Sequence, residues 1–600
     1  MKKYQIISLF ILLAIVTSCN DWLDRKPYNI LGNDDVWKQE DVALGVLANL
    51  YSRMPVDAFN KGGYHGEFSN AEYNMLISDE AMWSGDRNGL NGVRIIGGGV
   101  YNYWDYGYIR HLNLFIEKAT ESSLGAKEQL IAEARFLRAF TYFEMVKRFG
   151  GVPLVTKSFG YVPGEPVTEL QVARATEEET YNFIASELDA VVDVLPADKN
   201  FRRATKWSAL ALKSRAMLYA ASLAKYNNQM ASPVVLPGKE VGISAGKANE
   251  YYTTSFNASK QIITEGGFQL NASYFDVFNK KDANEMIMAR DFSAPDLVHN
   301  FTLRNTTPSL AKTENNGANI TPYLEMVEEY EMLDGTSGKI NFTDADGNSV
   351  HYTNVADAFA GRDRRLAATV LFGGAEFKGK TVNVQAGQKV WNSSTNSYET
   401  KSSNTLGEKD GEGRLILGLD GPSNDKNITN TGFYIKKFIS TESGAGLITT
   451  QATNYWPIFR YAEILLNAAE AGMELNKAEA VGYINELRER AGFGANSIET
   501  LTMEKVMHER KVELAYEGHR YFDLKRWRKS EEVISGKQYH GLYPYLVINE
   551  GDVNHLKYVF EKVEPARLYE DKVFERKNYY TYIPTGAVSK NPKLVLNPGQ

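Results

Sequence analysis

The run Arg460-Tyr461-Ala462-Glu463-Ile464-Leu465-Leu466-Asn467-Ala468-Ala469-Glu470-Ala471 decides the fold class. It reads as a helix dense in alanine and leucine, and it precedes a break at Leu475-Asn476. A second helix then carries Ala478, Ala480, Ile484 and Leu487 and ends near Gly492. Small side chains let two such helices approach closely across a short turn. A further helix is expected at Thr502–Glu517, with Gly518 placed to terminate it. Upstream, Ala132, Phe136, Ala139, Phe143 and Val146 recur at steps of three and four within Gln129–Phe149. That spacing puts one apolar stripe on a helix of ~3.6 residues per turn. The Gly150-Gly151-Val152-Pro153 run stops it. Trp207–Tyr226, again rich in alanine, and Tyr251–Thr264, closed by Gly266-Gly267, are the next helices.

The middle of the chain differs. Residues 270–450 are rich in Gly, Asn, Ser and Thr, with short alternating runs such as Thr381-Val382-Asn383-Val384, which predict loops and small strands. Gly407–Lys426 reads as an exposed loop. The paired alanine-rich helices resemble a tetratricopeptide unit, yet no fixed period repeats along the chain. The expected architecture is therefore mostly α: a degenerate tetratricopeptide helical-pair scaffold with long irregular loops and small β hairpins.

The first residues read as an export signal. Lys2 and Lys3 precede the uncharged run Ile6–Val16, and Val16-Thr17-Ser18-Cys19 follows. Those 11 apolar residues fall short of the ~20 that span a bilayer. Cys19 is the single cysteine of the chain and stands where a bacterial lipobox places the acylated residue. Two or more acyl chains hold a protein on a membrane, whereas one binds only marginally. Without residues 1–18, 65 basic residues face 74 acidic ones, a net charge of −9 with no basic tract, so nucleic acid is not an expected partner. One cysteine excludes an internal disulfide.

Several motifs invite a chemistry that their context removes. Gly374-Ala375-Glu376-Phe377-Lys378-Gly379-Lys380-Thr381 matches the phosphate-loop pattern, with Ala368–Phe372 as a preceding strand. A phosphate loop needs a helix to begin at its Lys-Thr, and here an alternating run follows, which predicts a hairpin. His508-Glu509 begins like a zinc-protease motif, but Val512 takes the place of the second histidine. Asp344-Ala345-Asp346-Gly347-Asn348 has the glycine too early for a calcium loop and reads as a turn. No G-x-S-x-G elbow occurs. Glu509–Trp527 is dense in alternating charge and aromatic groups; the expectation is a packed corner in which Arg510, Arg520 and Arg526 pair with Glu513, Glu517 and Asp523.

Several ordered segments together resemble the starch-utilisation-D/RagB (SusD/RagB) family of outer-membrane lipoproteins. They are Glu133–Ala139 with Phe149–Leu154, Ala204–Leu212, Tyr330–Gly335, Arg362–Leu366, Arg460–Ala471, Ile484–Gly492, Glu509–Trp527, and the ending with Tyr582-Ile583-Pro584 and Asn597-Pro598-Gly599. The resemblance implies residues 1–18 as signal peptide, 19–270 as an N-terminal helical part, 271–450 as a loop-rich insertion and 451–600 as a C-terminal part, in one compact mature domain. It implies four degenerate tetratricopeptide pairs and a lipid anchor at Cys19 in the outer leaflet of the outer membrane. It implies a SusC-like TonB-dependent transporter as partner and capture of oligosaccharide without catalysis or cofactor. A peptide-binding member and, less well supported, a surface glycoside hydrolase are the alternatives. Sugar faces stack on aromatic rings while their hydroxyls bond to Asn, Asp and Arg. On that ground the loop from Asp79 to Tyr103 offers Trp83, Asp86, Arg87, Asn88, Tyr101 and Tyr103 as ligand residues, and the loop Phe292–Arg304 offers Asn300, Phe301 and Arg304.

Overall fold

The computed structural model describes residues 34–60, 69–85, 103–160, 163–164, 166–281, 284–311, 317–425, 427–549, 556–568 and 571–600. Its principal helices are α1 (Glu40–Ser52), α2 (Asn70–Leu76), α3 (Tyr106–Glu121), α4 (Lys127–Phe149), α5 (Glu177–Asp189), α6 (Lys206–Ser222), α7 (Ala248–Glu265), the short α8 (Phe301–Asn305), α9 (Tyr461–Glu474), α10 (Ala480–Arg490), α11 (Met503–Glu513) and α12 (Arg520–Arg526). Helices pack consecutively in the order α3–α4–α5–α6–α7–α9–α10, the open stack expected of degenerate tetratricopeptide pairs. The step from α7 to α9 skips nearly two hundred residues of chain. That is why no fixed repeat period shows in the sequence.

Small residues allow the stack. Ala216, Ala220 and Ala221 of α6 are fully buried. The Ser214 and Ser259 hydroxyls meet at 2.7 Å, and the Asn467 amide donates to Ser214 at 3.1 Å, so one contact ties α6, α7 and α9. The Thr176–Glu179 capping box starts α5, and the Thr205 hydroxyl accepts from the Ser208 amide to start α6. Gly150, at φ 76°, ends α4; a Cβ there would meet the Glu240 carbonyl oxygen at 2.6 Å. The helix expected over Thr502–Glu517 ends earlier, at Glu513, because Tyr516 takes φ 62° and turns the chain.

The described strands used below are β1 (Ala81–Trp83), β2 (Met286–Arg290), β3 (Ile320–Pro322), β4 (Glu376–Phe377), β5 (Lys380–Thr381), β6 (Gly387–Asn392), β7 (Ser397–Lys401), β8 (Trp456–Arg460), β9 (Gly541–Ile548) and β10 (Lys557–Val563). They form two-stranded ladders, β1–β3, β2–β8 and β4–β5, and one four-stranded sheet of order β10-β9-β6-β7 in which β9 and β6 run parallel. The Gly374–Thr381 motif is thus the hairpin β4–β5. Only Val370-Leu371 of the strand expected at Ala368–Phe372 is extended; Arg365–Thr369 forms a helical turn. The loop expected at Gly407–Lys426 is exposed in its first half only. Ile416, Leu417 and Asp420 are buried, and Asp420 accepts from the amides of Ser309 at 2.8 Å and Asn383 at 3.0 Å. Asp344 closes a turn by accepting from the Asn348 amide at 2.8 Å. His508 bonds the Glu329 carbonyl at 2.8 Å.

Two apolar cores meet at β8. Phe459 belongs to the helical core with Phe140 and Leu465, and Trp456 to the core of the central insertion with Phe59, Phe301 and Phe438. Arg460, 1% exposed, lies between them. Its guanidinium donates to Glu285, Glu513 and Glu517, each at 2.7 Å. Arg365 and Arg490 also reach Glu513, and Lys437 reaches Glu517 at 2.7 Å. Burial alone would raise the Glu513 carboxyl; the guanidiniums of Arg490, Arg460 and Arg365 hold it well below the usual carboxylate range. The charged corner is therefore packed, as expected, but with a different set of partners. Arg510 and Arg526 do pair with Asp523, at 3.0 and 2.8 Å, and Arg526 also pairs with Glu470. Arg520 instead pairs with Asp79 at 2.8 Å, while Glu513 and Glu517 serve Arg460. The carboxylates are drawn from elements far apart in sequence, so the corner fastens the insertion to the helical stack.

Candidate functional site

Cys19, Asp86, Arg87, Asn88, Tyr101 and the proposed signal segment lie outside the described residues. Of the rest, Trp83 is not in a loop: it ends β1, with Ile320 of β3 as its Cα partner. It is half-buried. Its indole lies over Gly85, where a Cβ would come within 2.6 Å of the ring, so glycine makes room for it. Tyr103 is half-buried, and its hydroxyl donates to Asp57 at 2.6 Å and accepts from the Asn70 amide at 2.5 Å. The Arg148 guanidinium covers its ring at 4.1 Å. Burial and the Asp57 carboxylate push the Tyr103 hydroxyl well above its ordinary pKa. The Arg304 guanidinium faces Glu72 at 3.7 Å.

These three residues gather around α2. Asn70 holds Tyr103, Glu72 faces Arg304, and β1 with Trp83 follows the helix. The turn between α2 and β1 is clamped from beneath. The Lys572 ammonium donates to the carbonyls of Leu76 at 2.7 Å, Ser78 at 2.5 Å and Ala81 at 3.3 Å. Burial pushes Lys572 down to about 7 and the adjacent Glu80 carboxyl up to about 7. Asp79 binds Arg520 and Lys511, each at 2.8 Å. A corner so fastened gives Trp83 and Arg304 a fixed base.

Asn300 and Phe301 do not join them. Phe301 is 1% exposed, its ring 4.7 Å from Phe59 and 6.0 Å from Phe438. Asn300 is 6% exposed. The stretch expected as a loop is the short helix α8, and its Phe301 face is core. Both side chains are buried in this arrangement.

Sequence reasoning missed a cavity of about 960 Å³ between the insertion and the C-terminal end of α10. Phe275 and Phe377, edge to face at 6.0 Å, line it together with Arg364, Lys378, Lys380 and Lys436. Thr302 of α8 and Thr306 just after it, both buried, line it as well. The one signal in the sequence was the Gly374–Thr381 motif, whose lysines reach this cavity from the β4–β5 hairpin. Among the described residues, no group of three His, Cys, Asp or Glu side chains is arranged to hold a metal.

Two family models match the chain. One, described as "SusD family", covers residues 266–599; the other, described as "Starch-binding associating with outer membrane", covers residues 21–218. The chain belongs to the SusD family. Among its relatives, a SusD-like protein, P2, of Formosa agariphila is 25% identical over 89% of this chain and 92% of its own length. A SusD-like protein of Bacteroides ovatus is 21% identical over 88% and 82%. The fold is that of solved SusD-like structures. One from Bacteroides fragilis aligns with TM-score 0.68 at 23% identity over 96% of this chain and 100% of that one. A structure titled a SusD-like carbohydrate-binding protein, also from Bacteroides fragilis, aligns with TM-score 0.67 at 21% identity over 93% and 99%. A laminarin-binding SusD-like protein aligns with TM-score 0.59 at 18% identity over 94% and 100%. SusD family membership thus covers the insertion, the cavity and the C-terminal helices alike.

Proposed function

We propose that this protein is a cell-surface lipoprotein that captures oligosaccharide and delivers it to a TonB-dependent outer-membrane transporter, without transforming it. The observation that carries the reading is the family match over residues 266–599, joined to a fold shared along 94% of the chain with a laminarin-binding protein. The family description of starch binding and outer-membrane association supports both ligand class and location. Trp83 is the proposed stacking residue, with Arg304 beside it. A half-buried indole on a strand end keeps an edge in water while the strand fixes its orientation.

Trp83→Ala should weaken glycan binding about 5- to 150-fold, the effect of losing ~1–3 kcal/mol at a central contact. Because the indole also packs against the insertion core, a modest fall in melting temperature should accompany it. The check is calorimetric titration with a panel of neutral glycans, followed by sizing of the recovered glycan. Chain shortening would replace the binder with a hydrolase, and unchanged affinity would remove Trp83 from the site.

The anchor is proposed at Cys19, whose thiol would carry the lipid. Wild-type protein extracted from native membranes in mild detergent should bring a barrel transporter with it. Cys19→Ala should leave the outer-membrane fraction and lose the partner. A Cys19→Ala protein that fractionates with the outer membrane as wild type does would refute the anchor.

A further inference from the structure

We propose that the cavity beside the β4–β5 hairpin is a second binding site, for a sugar that bears an oxyanion, either a uronate carboxylate or a sulfate ester. The proposal rests on the glycan-binding reading and goes beyond it in naming a ligand charge and a second place. Size comes first. At about 960 Å³ the cavity lies at the upper end of the roughly 300–1,000 Å³ typical of small-molecule sites, room for more than one sugar ring.

Charge gives the ligand its sign. Among the described residues, Arg364, Lys380 and Lys436 share the lining with two carboxylates outside the buried network, Glu376 and Glu442. Both acids are already engaged: Glu376 accepts from the Thr381 hydroxyl, and Glu442 from Thr453 at 3.0 Å. Two of the cations are held by neutral carbonyls. Lys436 donates to the Ala367 carbonyl at 2.7 Å and Lys380 to the Ser309 carbonyl. The Arg364 side chain is exposed and lines the cavity. Lys380 and Lys436 bond carbonyl oxygens rather than carboxylates, so an oxyanion on the ligand would supply the opposite charge.

A second, independent feature lies in the cavity floor. Arg490 is 5% exposed, and its two terminal nitrogens bond Glu285, at 3.2 Å, and Glu513. Its Nε is buried without an acceptor among the described residues. A buried guanidinium donor left unmatched is costly, and a ligand oxygen would satisfy it once the Arg490 side chain turned its Nε toward the cavity. Geometry supplies the stacking element as well. Phe275 is half-buried at the cavity wall, and the Lys436 ammonium lies 5.4 Å from its ring centroid and 5.2 Å from that of Phe377. A sugar with its C–H face on Phe275 would place an equatorial carboxylate or sulfate near Lys436 and Arg364. Burial without a carboxylate neighbour holds the Lys436 ammonium below the ordinary lysine range, and an incoming oxyanion would relieve that.

The test uses full-length protein in detergent with three probes: trigalacturonate, a sulfated carrageenan tetrasaccharide and neutral laminaritetraose. At least one charged probe should bind, more weakly at 500 than at 50 mM NaCl because salt screens the contact. Arg364→Gln and Lys380→Gln should each weaken it about tenfold, the fold-change of one charged hydrogen bond. Lys590→Gln, an exposed lysine away from the cavity, serves as the charge control and should leave affinity unchanged. Both cavity side chains are exposed, so melting temperatures should hold; if one variant unfolds, the other decides. Which charged probe responds tells uronate from sulfate. Binding of laminaritetraose alone would overturn the cavity proposal and leave the glycan reading standing. Charged binding insensitive to both cavity variants would overturn it equally. Failure of all three probes would overturn both readings.

Discussion

Replacing Arg460 with alanine should lower the stability of the fold by about 3–5 kcal/mol, the usual cost of removing one partner from a buried charge network. Arg460 is 1% exposed, and its guanidinium is shared by Glu285, Glu513 and Glu517. Without it those carboxylates lose a cation they cannot replace from solvent. Urea unfolding should show a large drop in midpoint. Arg202→Ala should barely move it, because Arg202 is 55% exposed and its pair with Asp291 is at the surface. The pH profile carries a second signature. The Glu513 carboxyl titrates lower in the folded than in the unfolded chain, so the unfolded state binds more protons. Its contribution is fully present above the unfolded value of about 4.3 and is lost as pH falls below it. Arg460→Ala raises the folded value, so stability should fall less steeply with acid in the variant. A midpoint equal to wild type would show that the network is not a fastening.

That network also marks the boundary of what a sequence can show. The α4 helix was legible because Ala132, Phe136, Ala139, Phe143 and Val146 recur at helical spacing, and α6 because it is dense in alanine, both local patterns. The β4–β5 hairpin was legible because the residues after Lys380-Thr381 alternate instead of continuing as a helix. Charge carries no such pattern. Arg520 has Glu517 three positions before it and Asp523 three after it, and either looks like a partner; it takes Asp79, more than four hundred residues away. Ion pairs at long range depend on how elements stack, and the stack itself was interrupted by the insertion between α7 and α9. The cavity was invisible for the same reason: Phe275, Arg364, Phe377 and Lys436 come from four separate stretches of the chain.

The candidate site was legible in part, and the part that failed makes the second prediction. Phe301 follows Asn300 and precedes Arg304, and polar neighbours made the stretch read as a binding loop. Three-dimensional burial depends on which side of α8 meets the core, which a five-residue helix is too short to reveal by periodicity. Thr302 and Thr306 line the cavity, Arg304 turns to Glu72, and Phe301 enters the aromatic cluster with Phe59 and Phe438. Phe301→Ala should therefore destabilise the protein by about 3–5 kcal/mol, the range for removing a buried phenylalanine and leaving a cavity. Glycan affinity measured per folded molecule should stay at the wild-type value, because the ring touches other rings rather than solvent. Melting curves and titration on the same preparation decide it. A ligand contact would give the opposite pair of results, an unmoved melting temperature with weakened binding. The contrast with Trp83→Ala is the physical point: two aromatic residues nominated by the same sequence reasoning should differ in which quantity they move, because one ends a strand at the surface and the other fills the core beneath it.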